Sequence, residues 1–263
     1  MSGINSIIEN LQKLNDEKVK SFKLPCSKLK VKLKPFQAKH NTDVNSSLVA
    51  GSDGTYTIKF TQLLKKLFDE LLEIEDGTYA DIPQADIHYL VLKIRESISD
   101  VVYTNVSNED KREEVKLVVL LERFEKAKIK NKVVTVKGDN GLEVDVCQPS
   151  FETNIFYDKI LMASHEKFSE KNSEKVVKDA MVFTLLKFIK SVRIKIDNQI
   201  QDIQMSHLSA MDRRAIISNM PNDMYKQIME TINEITDPIE QILRIDDDNS
   251  VVIDQTILMD VKL

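Results

Sequence analysis

Glycine and proline are scarce in this chain, six of each in 263 residues, which argues against flexible low-complexity sequence. Cysteine is scarcer still. Cys26 and Cys147 stand far apart, and two lone thiols in an intracellular chain are ordinarily reduced and buried rather than bridged. Long apolar runs are missing as well: no window approaches the roughly 18 uninterrupted apolar residues that a membrane span requires. The most apolar stretch, Val176 to Val192, is broken by Lys178, Asp179, Lys187 and Lys190. Met1 to Asn15 carries Glu9 and lacks a basic start followed by an apolar block, so it does not read as an export signal. The chain is expected to work inside a cell, without a membrane partner.

What is present is a hydrophobic content of 42%, enough to bury a real core, in a length that suits one large domain or two ordinary ones. The net charge of −5 argues against a general nucleic-acid binder, which needs surplus Lys and Arg to displace counterions from phosphates. The charges are segregated, however. Lys18 to His40 contains lysines and no acid, whereas acids gather in Asp69 to Asp76 and in Asp246, Asp247 and Asp248. Such separation lets one surface attract what another repels.

Periodicity orders the rest. Ile4, Ile7, Ile8, Leu11 and Leu14 share one side of a helix. From Phe22 to Phe36 the period changes to two, with Leu29, Val31 and Leu33 opposed to Lys28, Lys30, Lys32 and Lys34, and Leu24-Pro25-Cys26-Ser27 as the turn of a β-hairpin. Asn41 to Thr55 has little apolar content and reads as a loop. Leu63 to Leu72 predicts a helix stopped by Asp76-Gly77, and Ile87, Leu90, Val91 and Ile94 predict another after Pro83, both packed on a sheet. Alternation then predicts antiparallel strands at Val102–Val106, Val115–Leu121, Val134–Val136 and Leu142–Val146, the last two joined by Gly138-Asp139-Asn140-Gly141. Beyond Pro149 helices dominate: one at Ile155–Leu161, a longer one from Val176 to Val192, one over Asp212–Asn219, and one over Asn222–Ile235 that opens after Pro221 and is ended by Asp237-Pro238. Arg193 to Gln204 reads as a small hairpin or an extended connection, and Val251, Ile253 and Ile257 as a last strand. The expected fold is α+β, an N-terminal antiparallel sheet with packed helices over 1–148 and a mainly helical part over 149–263.

No catalytic constellation stands out. Gly51–Gly54 and Gly138–Gly141 are turns, not phosphate cradles, because neither combines several glycines with a following lysine and helix. His40, His88, His165 and His207 are isolated from any second ligand at helical spacing, so no metal site is expected. Asp246-Asp247-Asp248 resembles a calcium loop only superficially, with Val251 and Ile257 where that loop needs Gly and Glu. Neither cysteine has a base nearby in sequence. No cofactor is expected. The lysines at 28, 30, 32 and 34 read either as an exposed sheet face that discourages aggregation or as a docking surface for an acidic protein. Nucleic acid ranks third, since aromatics for base stacking and arginines for base reading are both missing from the stripe.

The order of two short blocks carries a resemblance. Phe22-Lys-Leu-Pro-Cys-Ser-Lys-Leu-Lys-Val-Lys-Leu-Lys-Pro-Phe36 is similar to the opening of the baseplate hub subunits or hub assembly proteins of T-even-like bacteriophages. Ile82-Pro83 with Asp86-Ile-His-Tyr-Leu-Val-Leu-Lys-Ile-Arg95 and Ser97 resembles a second block of that family, and Cys147-Gln148-Pro149-Ser150 followed by helices continues the order, over about residues 20 to 240. One departure is Ile98-Ser99-Asp100, where the family pattern has a glycine and an acid. The resemblance implies a chaperone-like assembly factor or minor subunit of a contractile tail's hub, with other hub proteins as partners, acting in the host cytoplasm during assembly or retained in the virion's tail baseplate. It implies neither enzymatic activity nor a cofactor. Lys28, Lys30, Lys32, Lys34 and Phe36 are the candidate partner-binding residues. The competing readings are a nucleic-acid-binding accessory protein using residues 18–40, and an enzyme whose site is assembled from distant residues.

Overall fold

The computed structural model describes residues 2–49, 56–104, 113–165, 173–196, 199–247 and 249–259. Its fold is α+β with antiparallel sheets, as expected, and it divides into two compact units. The first comprises Met1–Thr78, Asp86–Lys128 and Leu243–Leu263, and the second Tyr79–Ala85 and Ile129–Ile242. The sequence boundary at 148/149 falls inside the second unit. Among the described residues no helix is long and apolar enough to cross a membrane.

In the first unit the lysine-rich hairpin forms as expected, β1 (Lys20–Lys23) against β2 (Lys30–Leu33). A third strand, β3 (Leu72–Ile74), completes the sheet. Register places Phe22 opposite Val31 and Val31 opposite Ile74, so one face is apolar while Lys32 and Glu73 share the other. The turn closes through Lys28, a non-glycine residue at φ 67, whose N–H donates to Leu24 O at 3.1 Å. Helix α1 (Ser2–Asp16) precedes the hairpin, and α3 (Tyr56–Leu71) buries Leu63, Leu64, Leu67, Phe68 and Leu71. That helix stops at Leu71, short of Asp76-Gly77, because Lys34 N takes Leu71 O at 2.8 Å and the chain joins the sheet. Helix α4 (Gln84–Arg95) lays Tyr89 edge-on against Phe22, ring centroids 6.0 Å apart.

Other expectations in this unit fail as well. The loop expected from Asn41 contains instead α2 (Ala38–Val49), with 50–55 outside the described residues. Buried His40 reaches back so that its Nδ1 accepts from Gln37 N at 2.8 Å, satisfying a donor at the helix start, and Val44 is buried. The strand expected over Val115–Leu121 ends at Lys116: β5 (Glu114–Lys116) pairs with β4 (Val101–Tyr103), and α5 (Leu117–Lys126) follows. As a helix this segment buries Leu117, Leu120, Leu121 and Phe124 and exposes Val118 and Val119. As a strand it would have put Leu120 and Phe124 on the face opposite Leu117. The tail adds no strand among its described residues; Val251 makes one backbone bond to Leu243, and Gln255–Leu258 is a 3-10 turn. Val106, expected in a strand, lies outside the described residues.

The second unit is built on a four-stranded antiparallel sheet, β6 (Val134–Lys137), β7 (Glu143–Val146), β8 (Ile189–Ile196) and β9 (Gln199–Gln204), in that order. Gly141, at φ +72, turns β6 into β7. Helices α6 (Phe151–His165), α7 (Ser173–Leu186), α8 (Ala210–Ser218) and α9 (Asn222–Leu243) accompany it. The long helix expected through Val192 is cut at Leu186, because Ile189 to Ile196 is a central strand whose backbone bonds to β7 on one side and β9 on the other. The hairpin reading of Arg193–Gln204 therefore holds over a longer span. Pro238 does not end the last helix. The apolar stripe continues past it with Ile239 and Ile242 buried, and burying each side chain at about 1.5–3 kcal/mol offsets the roughly 3 kcal/mol an interior proline costs.

Candidate functional site

The two sequence blocks that carried the resemblance meet at one buried carboxylate. Asp86, in the first turn of α4, accepts from Cys26 N at 2.8 Å and Ser27 N at 2.7 Å, and so pins the hairpin turn to the helix. Burial pushes its carboxyl up, while the donors from Ser27 and Cys26 act in the opposite sense. At the other end of the helix, buried Arg95 donates to Val101 O at 3.1 Å and to Met259 O, fixing the start of β4 and the described end of the chain. The Ile98-Ser99 departure forms a turn whose two N–H groups both donate to Arg95 O. In the second unit, Gln148 Oε1 accepts from Ala85 N at 3.1 Å and Phe151 N donates to Ile82 O at 2.9 Å, while Ser150 Oγ caps α6 by accepting from Thr153 N. Cys147-Gln148-Pro149-Ser150 and Ile82-Pro83 are thus one structural device.

The five candidate partner-binding residues are not equivalent. Lys30 and Lys34 are exposed on strand β2 and just beyond it. Lys32, between them, is committed to Glu73 at 3.0 Å and Glu75 at 3.4 Å, whose carboxylates hold its ammonium above the usual lysine range. Lys28 belongs to the turn, its Nζ 2.5 Å from Pro25 O. Phe36 is half-buried with its ring 5.1 Å from that of His40. The stripe is therefore a sheet face with its charge partly neutralised from the neighbouring strand. Cys26 is buried, and burial pushes the Cys147 thiol up, away from nucleophilic character. Asp246 spends its carboxylate on the N–H and side chain of Asn249, both at 2.8 Å.

Two features lie outside the candidate residues named from sequence. The apolar side of α1, which the 3.6 period did reveal, is exposed: Ile4 is 67%, Ile7 60%, Leu11 55% and Leu14 53% accessible. Such a row is the form in which a helix is offered to a groove. The other feature is a cavity of about 630 Å³ in the second unit, lined among others by Cys147, Phe156, Tyr157, Lys187, Lys190 and Arg213. Lys187 there is paired with buried Asp158 at 2.7 Å. These residues come from separate segments, and no local spacing announces them.

Small antiparallel sheets and helices, held together by these motif-borne clamps, make up an α+β fold. A family model described as T4 bacteriophage base plate protein matches residues 17–242, and the chain belongs to that family. No curated protein and no solved structure matches it.

Proposed function

We propose that this baseplate-family protein serves assembly of the tail hub, as a chaperone-like factor or a minor hub subunit, and that it acts through protein contacts rather than catalysis. The observation that carries the contact reading is the exposed apolar row Ile4, Ile7, Leu11 and Leu14 on α1, a helix lying outside the matched residues 17–242. Apolar area of that kind is costly to leave in water, at about 25 cal/mol per Å², and is recovered when a partner covers it. The exposed lysines 30 and 34 contribute attraction to an acidic partner, which speeds encounter more than it strengthens the final complex. Nucleic acid is the weaker alternative, since Lys32 is already neutralised by Glu73 and Glu75.

Affinity capture of the full chain from infected cells tests the reading. Tail-hub proteins should co-purify with it, and the double substitution Ile7→Lys with Leu11→Lys should release them. Capture of no baseplate component in repeated trials would overturn the hub assignment, and retention of every partner by the double variant would overturn the role of α1.

A further inference from the structure

The cavity in the second unit contains a buried cation without a buried counter-charge. Arg213 is only 6% exposed. Its Nε donates to Leu208 O at 3.0 Å, Nη1 to the Tyr157 hydroxyl at 3.1 Å and Nη2 to Ser206 O at 3.3 Å. All three acceptors are neutral, and among the described residues no carboxylate lies within ion-pair distance of it. The guanidinium also lies 4.2 Å from the ring centroid of Phe156, a side chain 37% exposed at the cavity wall. An arginine has five N–H donors, so one on each terminal nitrogen is left over, and donors on the two terminal nitrogens of one guanidinium can together serve the two oxygens of a carboxylate.

The remaining charged groups of the lining do not supply that anion. Lys187 is committed to Asp158, and Lys190 is an exposed second cation. Asp81 and Glu152 are exposed on the lining, and neither is within ion-pair distance of Arg213. A buried charge held by neutral dipoles and aromatic rings, with no counter-charge, is costly, and an incoming opposite charge in a partly water-excluded site gains more than it would on an open surface.

We infer that this cavity is a receptor for a carboxylate presented by a partner protein, with the spare N–H pair of Arg213 binding both oxygens and the exposed part of the Phe156 ring, beyond the face stacked on Arg213, covering an adjoining apolar side chain. The inference rests on the protein-contact reading above and names the partner's chemistry: an acidic side chain flanked by apolar residues, or a chain's own terminal carboxylate beside an apolar residue.

Nuclear magnetic resonance titration of the full, isotope-labelled chain decides it, followed at the Arg213 Nε–H signal and the backbone signals of residues 150–157 and 205–208. The probes are acetyl-Leu-Glu-Leu-amide, acetyl-Leu-Leu with a free carboxylate, acetyl-Leu-Gln-Leu-amide and inorganic phosphate, each taken to about 10 mM because a single anchored carboxylate gives affinities of that order. One or both carboxylate probes should shift those signals and saturate, at least about tenfold more tightly than the Gln probe, and the tighter of the two identifies the source of the carboxylate. Arg213→Lys, which keeps the charge and loses the fork, should weaken binding about fivefold or more. Should that variant misfold, Lys190→Gln provides a second reading, a two- to threefold loss at low salt that vanishes at high salt, by order of magnitude. Equal response to the Gln probe, no localised response to either carboxylate, or phosphate saturating below both would overturn the inference. A chain that captures hub proteins but ignores both carboxylate probes sinks this pocket alone, whereas one that binds a probe and captures no baseplate component sinks the hub reading and leaves the pocket standing.

Discussion

The two units each bury a charged side chain that binds the backbone, and the two differ in what is left over. In the first, Asp86 accepts N–H bonds from Cys26 and Ser27. In the second, Arg213 donates to the carbonyls of Ser206 and Leu208 and to Tyr157. Asp86 is fully buried, and its place in the first turn of α4 lets the helix N-terminus favour the negative charge. Arg213 borders a cavity and has donors to spare. A fully buried charge whose hydrogen bonds all go to its own chain fixes a fold, while one with donors to spare beside open space is equipped to bind.

If that distinction is right, removing Asp86 costs more than removing Arg213. Asp86→Ala strands two shielded backbone donors and should lower unfolding free energy by about 3 kcal/mol or more in urea denaturation. Asp86→Asn, which keeps one oxygen acceptor, should cost about half as much. Equal losses for Asn and Ala would mean that the carboxylate's charge, not its acceptors, holds the turn.

How far this was readable from sequence depends on where each partner comes from. The hairpin, α3, α4 and α9 were legible because Val31 and Leu33, Leu63 to Leu71, and Ile228 to Ile232 keep a clean period against polar neighbours. Asp86 stood inside a recognisable block, yet its bond to Cys26 spans 60 positions and no pattern rule reaches that far. Helix α2 was hidden because its stabilising contact is a histidine bonded backwards to Gln37, not an apolar stripe. In α5, leucines and valines satisfy both periods, and only burial of Phe124 decides between them. Arg213 was unremarkable among surface charges until Tyr157, Ser206 and Leu208 came together around it.

The first unit also contains a group that should make it acid-sensitive. His88 has a shielded Nδ1 with no hydrogen-bond partner, and burial lowers its pKa to about 4. The unfolded chain, with a histidine pKa near 6.5, takes up a proton that the folded chain refuses, so stability should fall as pH drops from about 6.5 towards 4. The loss reaches about 3 kcal/mol at most by pH 4, and His88→Gln should remove that part of the pH dependence of denaturation midpoints. His40, also lowered by burial, adds a contribution of the same sign that persists in the variant.

A smaller effect is expected at Arg213. Substitution by Met leaves carbonyls that the cavity can hydrate, so Arg213→Met should cost about 1–2 kcal/mol, less than Asp86→Ala. A larger loss than Asp86→Ala would remove the contrast between a structural and a binding charge.

The smallest expected change in stability belongs to α1, and it is the most discriminating for function. Ile7 and Leu11 are more than half exposed, so Ile7→Lys and Leu11→Lys remove little buried area and should each shift unfolding by no more than about 0.5 kcal/mol. Lysine has good helix propensity, so α1 itself should persist by circular dichroism. A destabilisation above about 2 kcal/mol would instead show that the row is covered within the protein in solution. With stability unchanged and partner capture lost, the apolar row is an interface kept open for another protein, and the contrast between charges that close the fold and surfaces that await a partner extends to the apolar residues as well.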